Sequence, residues 1–191
     1  MKSLRIGIGQ INVNVGDFKG NLDKIVAYAK KASLSGCDLV VFPELALSGY
    51  PPEDLLLKKH FRSENMYFAH MAAKKIPSHV AAVYGFVDIK KEQVFNAAAV
   101  AYQGNLAGIY HKMCLPNYGV FDEKRYFAQG AHYLLLNISG IKIGVTICED
   151  IWIKEGPASV YAFLADADII INLSASPYHM GKLHDRFKLV K

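Results

Sequence analysis

Cysteine is scarce in this 191-residue chain: only Cys37, Cys114 and Cys148 occur. Their number is odd, and their spacings fit neither a disulfide framework nor a zinc site. The seven histidines form no H-x-x-x-H or H-x-x-E-H pattern. Arginine is also sparse, at four of the 22 basic residues. The +5 net charge is dispersed in pairs such as Lys30-Lys31, Lys58-Lys59, Lys74-Lys75 and Lys90-Lys91. A nucleic-acid surface carries a denser, Arg-richer stripe, so these pairs read as solvated faces. No apolar run reaches membrane length, and Met1–Arg5 opens no signal-type apolar region. These absences predict a cytoplasmic, reduced protein with neither nucleic acid nor membrane as partner. What remains is 52% hydrophobic and 12% aromatic, enough for one domain with a substantial core.

The order of elements is that of an α/β protein. Leu4–Ile11 alternates apolar and small residues and predicts a strand. Its Gly7-x-Gly9 pair leads to Asn12, so the dinucleotide fingerprint is incomplete, and a closely passing strand explains the glycines. Asn21 is placed to cap a helix running to about Ser35, with Leu22, Ile25, Val26 and Ala29 on one face. Cys37–Phe42 is a continuously apolar strand, and strand–helix–strand implies parallel pairing. A helix over Ser63–Lys75 comes next, then a strand over His79–Ile89. Two hairpins are predicted, one around Gln103-Gly104-Asn105 and one around Ser139-Gly140. Pro157–Ala165 reads as a short helix and Asp168–Ser174 as a last strand. The runs Asp38–Phe42 and Asp168–Ile171 echo each other, an acid leading into an apolar strand. This repetition predicts a sandwich of two similar halves.

Three reactive side chains fall just past strand ends: Glu44, Lys112 and Cys148. Taken singly, each has a plain structural reading, as a solvated acid, a surface lysine and a small buried hydrophobe. Together they form a working set. A thiol needs a base, and Glu44 can take its proton. A developing oxyanion needs a cation and a backbone N–H, which Lys112 and the residue after Cys148 can supply. No Ser-His-Asp or Cys-His arrangement competes with this set.

The stretches Phe42-Pro43-Glu44-Leu45, Tyr110-His111-Lys112-Met113-Cys114-Leu115-Pro116 and Val145-Thr146-Ile147-Cys148-Glu149-Asp150-Ile151-Trp152 resemble the Glu-Lys-Cys motifs of the carbon–nitrogen hydrolase (nitrilase) superfamily. The resemblance implies an αββα sandwich, with Glu44 as general base, Lys112 as oxyanion stabiliser and Cys148 as the nucleophile of a thioester. It further implies that Glu123 supports the lysine. Leu47–Leu56, Leu115–Phe127 and Asn172–Tyr178 are similar, more narrowly, to the amino-terminal glutaminase domains of glutamine-dependent NAD synthetases. That likeness places L-glutamine near Tyr118, Glu149, Ser176 and Lys182, with no cofactor in this domain. It implies a hydrolase domain that continues past Lys191, followed by a synthetase domain absent from this chain. That second domain would use ATP and Mg to amidate deamido-NAD+, in a full-length homo-oligomer. The alternative is a stand-alone ω-amidase of the same superfamily. A non-catalytic sandwich is the reading from another class. It predicts no selective labelling of Cys148 by iodoacetamide.

Overall fold

The computed structural model describes residues 2–190. Among these residues, eight strands form two sheets. The first sheet contains β1 (Ile6–Ile8), β2 (Leu39–Val41), β3 (Ala81–Lys90), β4 (Gln93–Tyr102) and β5 (Asn105–His111), in that spatial order. The first three are mutually parallel, and the last three run antiparallel. The second sheet has β7 (Ile141–Ile147) at its centre, antiparallel to β6 (Leu135–Ile138) and parallel to β8 (Ile169–Leu173).

Helices cover the outer face of each sheet. On the first lie α1 (Phe18–Leu34) and α2 (Lys59–Lys75). Phe18, Leu22, Ile25 and Ala29 recur at helical spacing and are buried with Val40, Ala82, Tyr84, Phe86 and Ala99. Between the sheets lies a second apolar layer, in which Leu39, Val83, Ala98, Val100 and Tyr110 meet Ile143, Val145, Ile147 and Leu173. On the far side α3 (Pro157–Phe163) packs on β7. Its Tyr161 ring occupies the space beside Gly144, where an added Cβ would come within 2.5 Å of Cγ. The short helix α4 (Lys182–Leu189) ends the described chain. The layers are therefore α, β, β, α, the predicted sandwich. Among the described residues no helix is long and apolar enough to cross a membrane.

The echo between Asp38 and Asp168 has a structural counterpart. Asp38 exchanges two hydrogen bonds with Arg5, its Oδ2 accepting from the Arg5 N–H at 2.8 Å and its own N–H reaching Arg5 O at 2.9 Å. Asp168 does the same with Lys142, at 2.8 and 2.9 Å. In each half the acid pins the entry of a strand to its parallel neighbour.

Several local expectations are corrected. Asp17, not Asn21, caps α1, its carboxylate accepting from the Gly20 N–H at 2.9 Å. Asn21 lies inside the helix, and its buried amide ties Asn14 to Leu47 across two loops. The passing strand expected beside Gly9 is β2, and the ring of Phe42 at its end needs the space: Cδ1 and Cε1 would lie 2.6 and 2.5 Å from an added Cβ. β4 begins at Gln93, so β3 and β4 form a further hairpin, in which Lys91 and Glu92 both adopt positive φ (48° and 66°) and close a two-residue turn.

Gly85 sets the position of the loop that carries Glu44. A Cβ there would lie 2.1 Å from Leu45 N and 2.6 Å from Glu44 C. Its bare backbone lets the Pro43–Leu45 segment lie directly on β3, with Gly85 N donating to Pro43 O at 3.1 Å and Leu47 N to Gly85 O at 3.0 Å. Gly85→Ala is expected to destabilise the chain by about 2–3 kcal/mol through overpacking. Urea unfolding checks this, and a loss under about 0.5 kcal/mol would contradict the close approach.

Candidate active site

Glu44 follows β2, Lys112 follows β5 and Cys148 follows β7. All three strand ends point to one end of the sandwich, and all three side chains are buried there. Two backbone conformations at this end are unusual. Leu45 has φ +46° and Cys148 φ +43°, in the left-handed region that bulky L residues avoid. Such residues cost about 1–3 kcal/mol each and persist only where the surroundings enforce them. At Cys148 the strand ends and a 3-10 turn over Cys148–Ile151 begins, so the thiol sits on a sharp elbow.

Lys112 is the hub. Its side chain is fully buried. Nζ lies 2.8 Å from Glu44 Oε1 and 2.8 Å from Glu123 Oε1, with Glu123 Oε2 equally near but poorly aligned. An ammonium has three N–H donors, so one remains for an oxyanion. Tyr50 OH donates to Glu123 Oε1 at 3.2 Å. Glu123 and Lys112 thus form a direct ion pair.

Glu44 is held from both sides. Oε1 accepts from Lys112 and from Asn96 Nδ2, at 2.8 Å each. Oε2 accepts from the Ala175 N–H at 3.1 Å. A carboxylate oxygen has two lone pairs, so Oε1 is filled and Oε2 keeps one acceptor position. That position is where a proton can be taken. Beside it, Ser174 Oγ lies 3.7 Å from Cys148 Sγ. The end of β8 therefore joins Glu44 and Cys148.

The charges set the protonation states. Burial pushes the Cys148 thiol up to about 12, Glu44 adds to this, and Lys112 with the Ser174 hydroxyl only partly opposes it. At neutral pH Cys148 is therefore a thiol, and ionising it calls for a base. The cation does not make it a thiolate unaided. Burial alone would lower the pKa of Lys112, but Glu44 and Glu123 outweigh it and hold the ammonium charged. Burial, then the neighbouring charge of Glu44, raises Glu123 to about 7 against the pull of Lys112.

The four remaining predicted residues divide. Tyr118 OH donates to both oxygens of Glu149 at 2.9 Å. This pair borders a cavity of ≈ 700 Å³ lined also by Leu115, Lys124, Phe127 and Ile153. Ser176 Oγ is 3.3 Å from Ser174 Oγ and accepts from Arg186 Nη2 at 2.7 Å. Lys182 is not in this chain of contacts; its Nζ lies 4.5 Å from the Trp152 ring centroid. Residues unassigned from the sequence are Asn96, Tyr50, Ser174 and the Ala175 amide. Asn96 had a visible signal, since it interrupts an apolar strand, whereas an amide N–H leaves none.

A thiol on a strained elbow, a carboxylate with one open lone pair and a spare ammonium N–H thus meet at one end of the sandwich. The chain matches the carbon-nitrogen hydrolase family over residues 5–190, and it belongs to that family. Among its relatives, the glutamine-dependent NAD(+) synthetase of Thermotoga maritima is 48% identical over 183 residues, which are 95% of this chain and 32% of that protein. The Aquifex aeolicus protein of the same name is 41% identical over 184 residues, 94% of this chain and 31% of its own. Among solved structures, the glutamine-dependent NAD+ synthetase from Acinetobacter baumannii has TM-score 0.91 at 36% identity, covering 98% of this chain and 35% of that one. An amidase from Nesterenkonia sp. has TM-score 0.77 at 25% identity, covering 94% of this chain and 68% of that one. The chain spans about a third of the length of the curated relatives it matches.

Glu44→Gln should lower amide hydrolysis by about 10²–10⁴ as for loss of a general base. The same change should lower the thiol pKa, read from thiolate ultraviolet absorbance, because a neighbouring negative charge is gone. A raised thiol pKa would contradict the electrostatic reading. Lys112→Met should cost about 3–5 kcal/mol near neutral pH, since it leaves two carboxylates facing each other. With Glu123 already raised to about 7, its protonation below that value relieves the repulsion. The loss in denaturation experiments should therefore be smaller at pH about 5 than at about 8.

Proposed function

We propose that this chain hydrolyses the side-chain amide of L-glutamine and that the ammonia serves NAD+ synthesis. The observation carrying the chemistry is the buried Lys112, shared between Glu44 and Glu123 beside Cys148. The likeness to glutamine-dependent NAD+ synthetases supports the substrate. Glu44 Oε2 takes the Cys148 proton as sulfur attacks the carboxamide carbon. The free N–H of Lys112 meets the resulting oxyanion, joined by the Glu149 N–H, which as part of the first 3-10 turn has no acceptor within it. The C–N bond breaks, and Glu44 returns the proton to the departing ammonia. Water then attacks the thioester, giving its proton to Glu44. As the C–S bond breaks, that proton returns to sulfur and glutamate leaves.

Glu149, oriented by Tyr118, is suited to the α-amino group of glutamine. Ser176 and Lys182 are assigned to the polar groups at the same end, with Lys182 turning from the Trp152 face toward the α-carboxylate. The remaining half-reaction, ATP- and Mg-dependent amidation of deamido-NAD+, belongs to a synthetase portion of a longer cytoplasmic, homo-oligomeric protein. This chain's residues supply none of its steps. The amidase from Nesterenkonia sp. favours a second reading, a stand-alone ω-amidase.

Glutamate release by the 191-residue chain tests the reading. Glutamine should be the preferred amide over asparagine and simple aliphatic amides, and Cys148→Ala should abolish turnover. Faster turnover of a non-glutamine amide would overturn the glutaminase reading in favour of the ω-amidase.

A further inference from the structure

We infer that Asp150 is a positioning residue, one that locks the Cys148 elbow to the chain segment leaving Lys112. This rests on the reading of Cys148 as nucleophile. Asp150 is fully buried, yet among the described residues it forms no salt bridge. Its charge is met by four donors from three places. Oδ2 accepts from the Ile147 N–H at 2.9 Å and from Tyr110 OH at 2.8 Å. Oδ1 accepts from the Cys114 N–H at 2.8 Å and the Met113 N–H at 3.1 Å. Ile147 immediately precedes the nucleophile, Tyr110 lies at the end of β5, and Met113 and Cys114 immediately follow the catalytic lysine. One carboxylate thus fixes the two catalytic backbones to each other across the gap between the sheets.

All four lone-pair positions of the carboxylate are used. This makes the requirement for a carboxylate specific. An asparagine amide would aim two N–H groups at existing donors. Backbone N–H groups cannot accept, so the amide nitrogen cannot face Met113 and Cys114. It would turn toward Ile147 and Tyr110, where the phenol oxygen can rotate to accept. The Ile147 N–H is then left without a partner. The defect falls beside Cys148, where φ is +43° and the backbone needs support. The rest of the Glu44–Lys112–Glu123 cluster does not touch Asp150 and stays in place.

The test compares Asp150→Asn with Tyr110→Phe in the 191-residue chain. The second variant removes one donor and leaves the carboxylate and its three backbone bonds. For Asp150→Asn, iodoacetamide alkylation of Cys148 and kcat per alkylatable site should both fall about tenfold or more, as for a nucleophile displaced by a fraction of an ångström. KM should stay within about threefold, because the substrate contacts are untouched. Tyr110→Phe should lose less than about threefold in either rate, even where its melting temperature falls as far. Asp150→Asn with a parental alkylation rate, or Tyr110→Phe equally impaired, would overturn the assignment. The alkylation measurement needs no glutamine, so failure of the glutaminase reading is separable from failure here.

Where Asp150→Asn does not fold, hydrogen exchange of the unmodified chain decides. The amides of Met113, Cys114 and Ile147 should exchange together, as one protected group. Exchange of Cys114 as fast as the exposed Asn117 and Gly119 would overturn the lock.

Discussion

An ammonium buried between two carboxylates governs this molecule. Removing Lys112, Glu44 and Glu123 from water costs several kcal/mol per ion, and only close pairing and hydrogen bonding recover it. The structure meets most of that demand, leaving only Glu123 Oε2 among the carboxylate oxygens without an aligned donor. Asn96, Ala175 and Tyr50 occupy carboxylate lone pairs, and the strands beneath hold the backbones. With both acids ionised, the cluster carries one more negative than positive charge. Together with burial, that excess raises Glu123 to about 7 and the Cys148 thiol to about 12.

Close approach and strain are parts of the same arrangement. Gly85 lets the Pro43–Leu45 backbone rest on β3, and Leu45 turns sharply at φ +46° to leave it. Cys148 turns at φ +43° on the opposite sheet. The two elbows sit on different sheets, so their separation depends on the apolar layer between the sheets, from Leu39 and Val83 to Val145 and Ile147. Packing within that layer thereby fixes the separation of Glu44 and Cys148, and interiors at native density deform little.

Much of this is legible in the sequence, for identifiable reasons. Buried strands announce themselves by β-branched runs, and a charged or reactive residue directly after one is conspicuous, so Glu44, Lys112 and Cys148 stand out. The twin acids Asp38 and Asp168 announce the two halves. What stays hidden is pairing in space. Asp17 and Asn21 are equally good caps by residue type, and only the tertiary contacts of Asn21 decide between them. Asp150 beside Glu149 reads as a second loop acid, and nothing local reveals its four partners. The Ala175 contribution comes from the backbone, which carries no residue-specific signal at all.

The bond from the Ala175 amide to Glu44 spans 131 positions of the chain. The hydrogen bonding of Glu44 is thus completed by a segment that leaves the ribosome long after it. Until β8 docks, Glu44 lacks one of its three donors and Cys148 lacks the neighbouring Ser174 hydroxyl. A nascent chain carries Glu44, Lys112 and Cys148 before it possesses the assembled cluster. Competence for chemistry is in that sense a checkpoint on assembly: the thiol acquires its partners only when early and late segments of the chain have met.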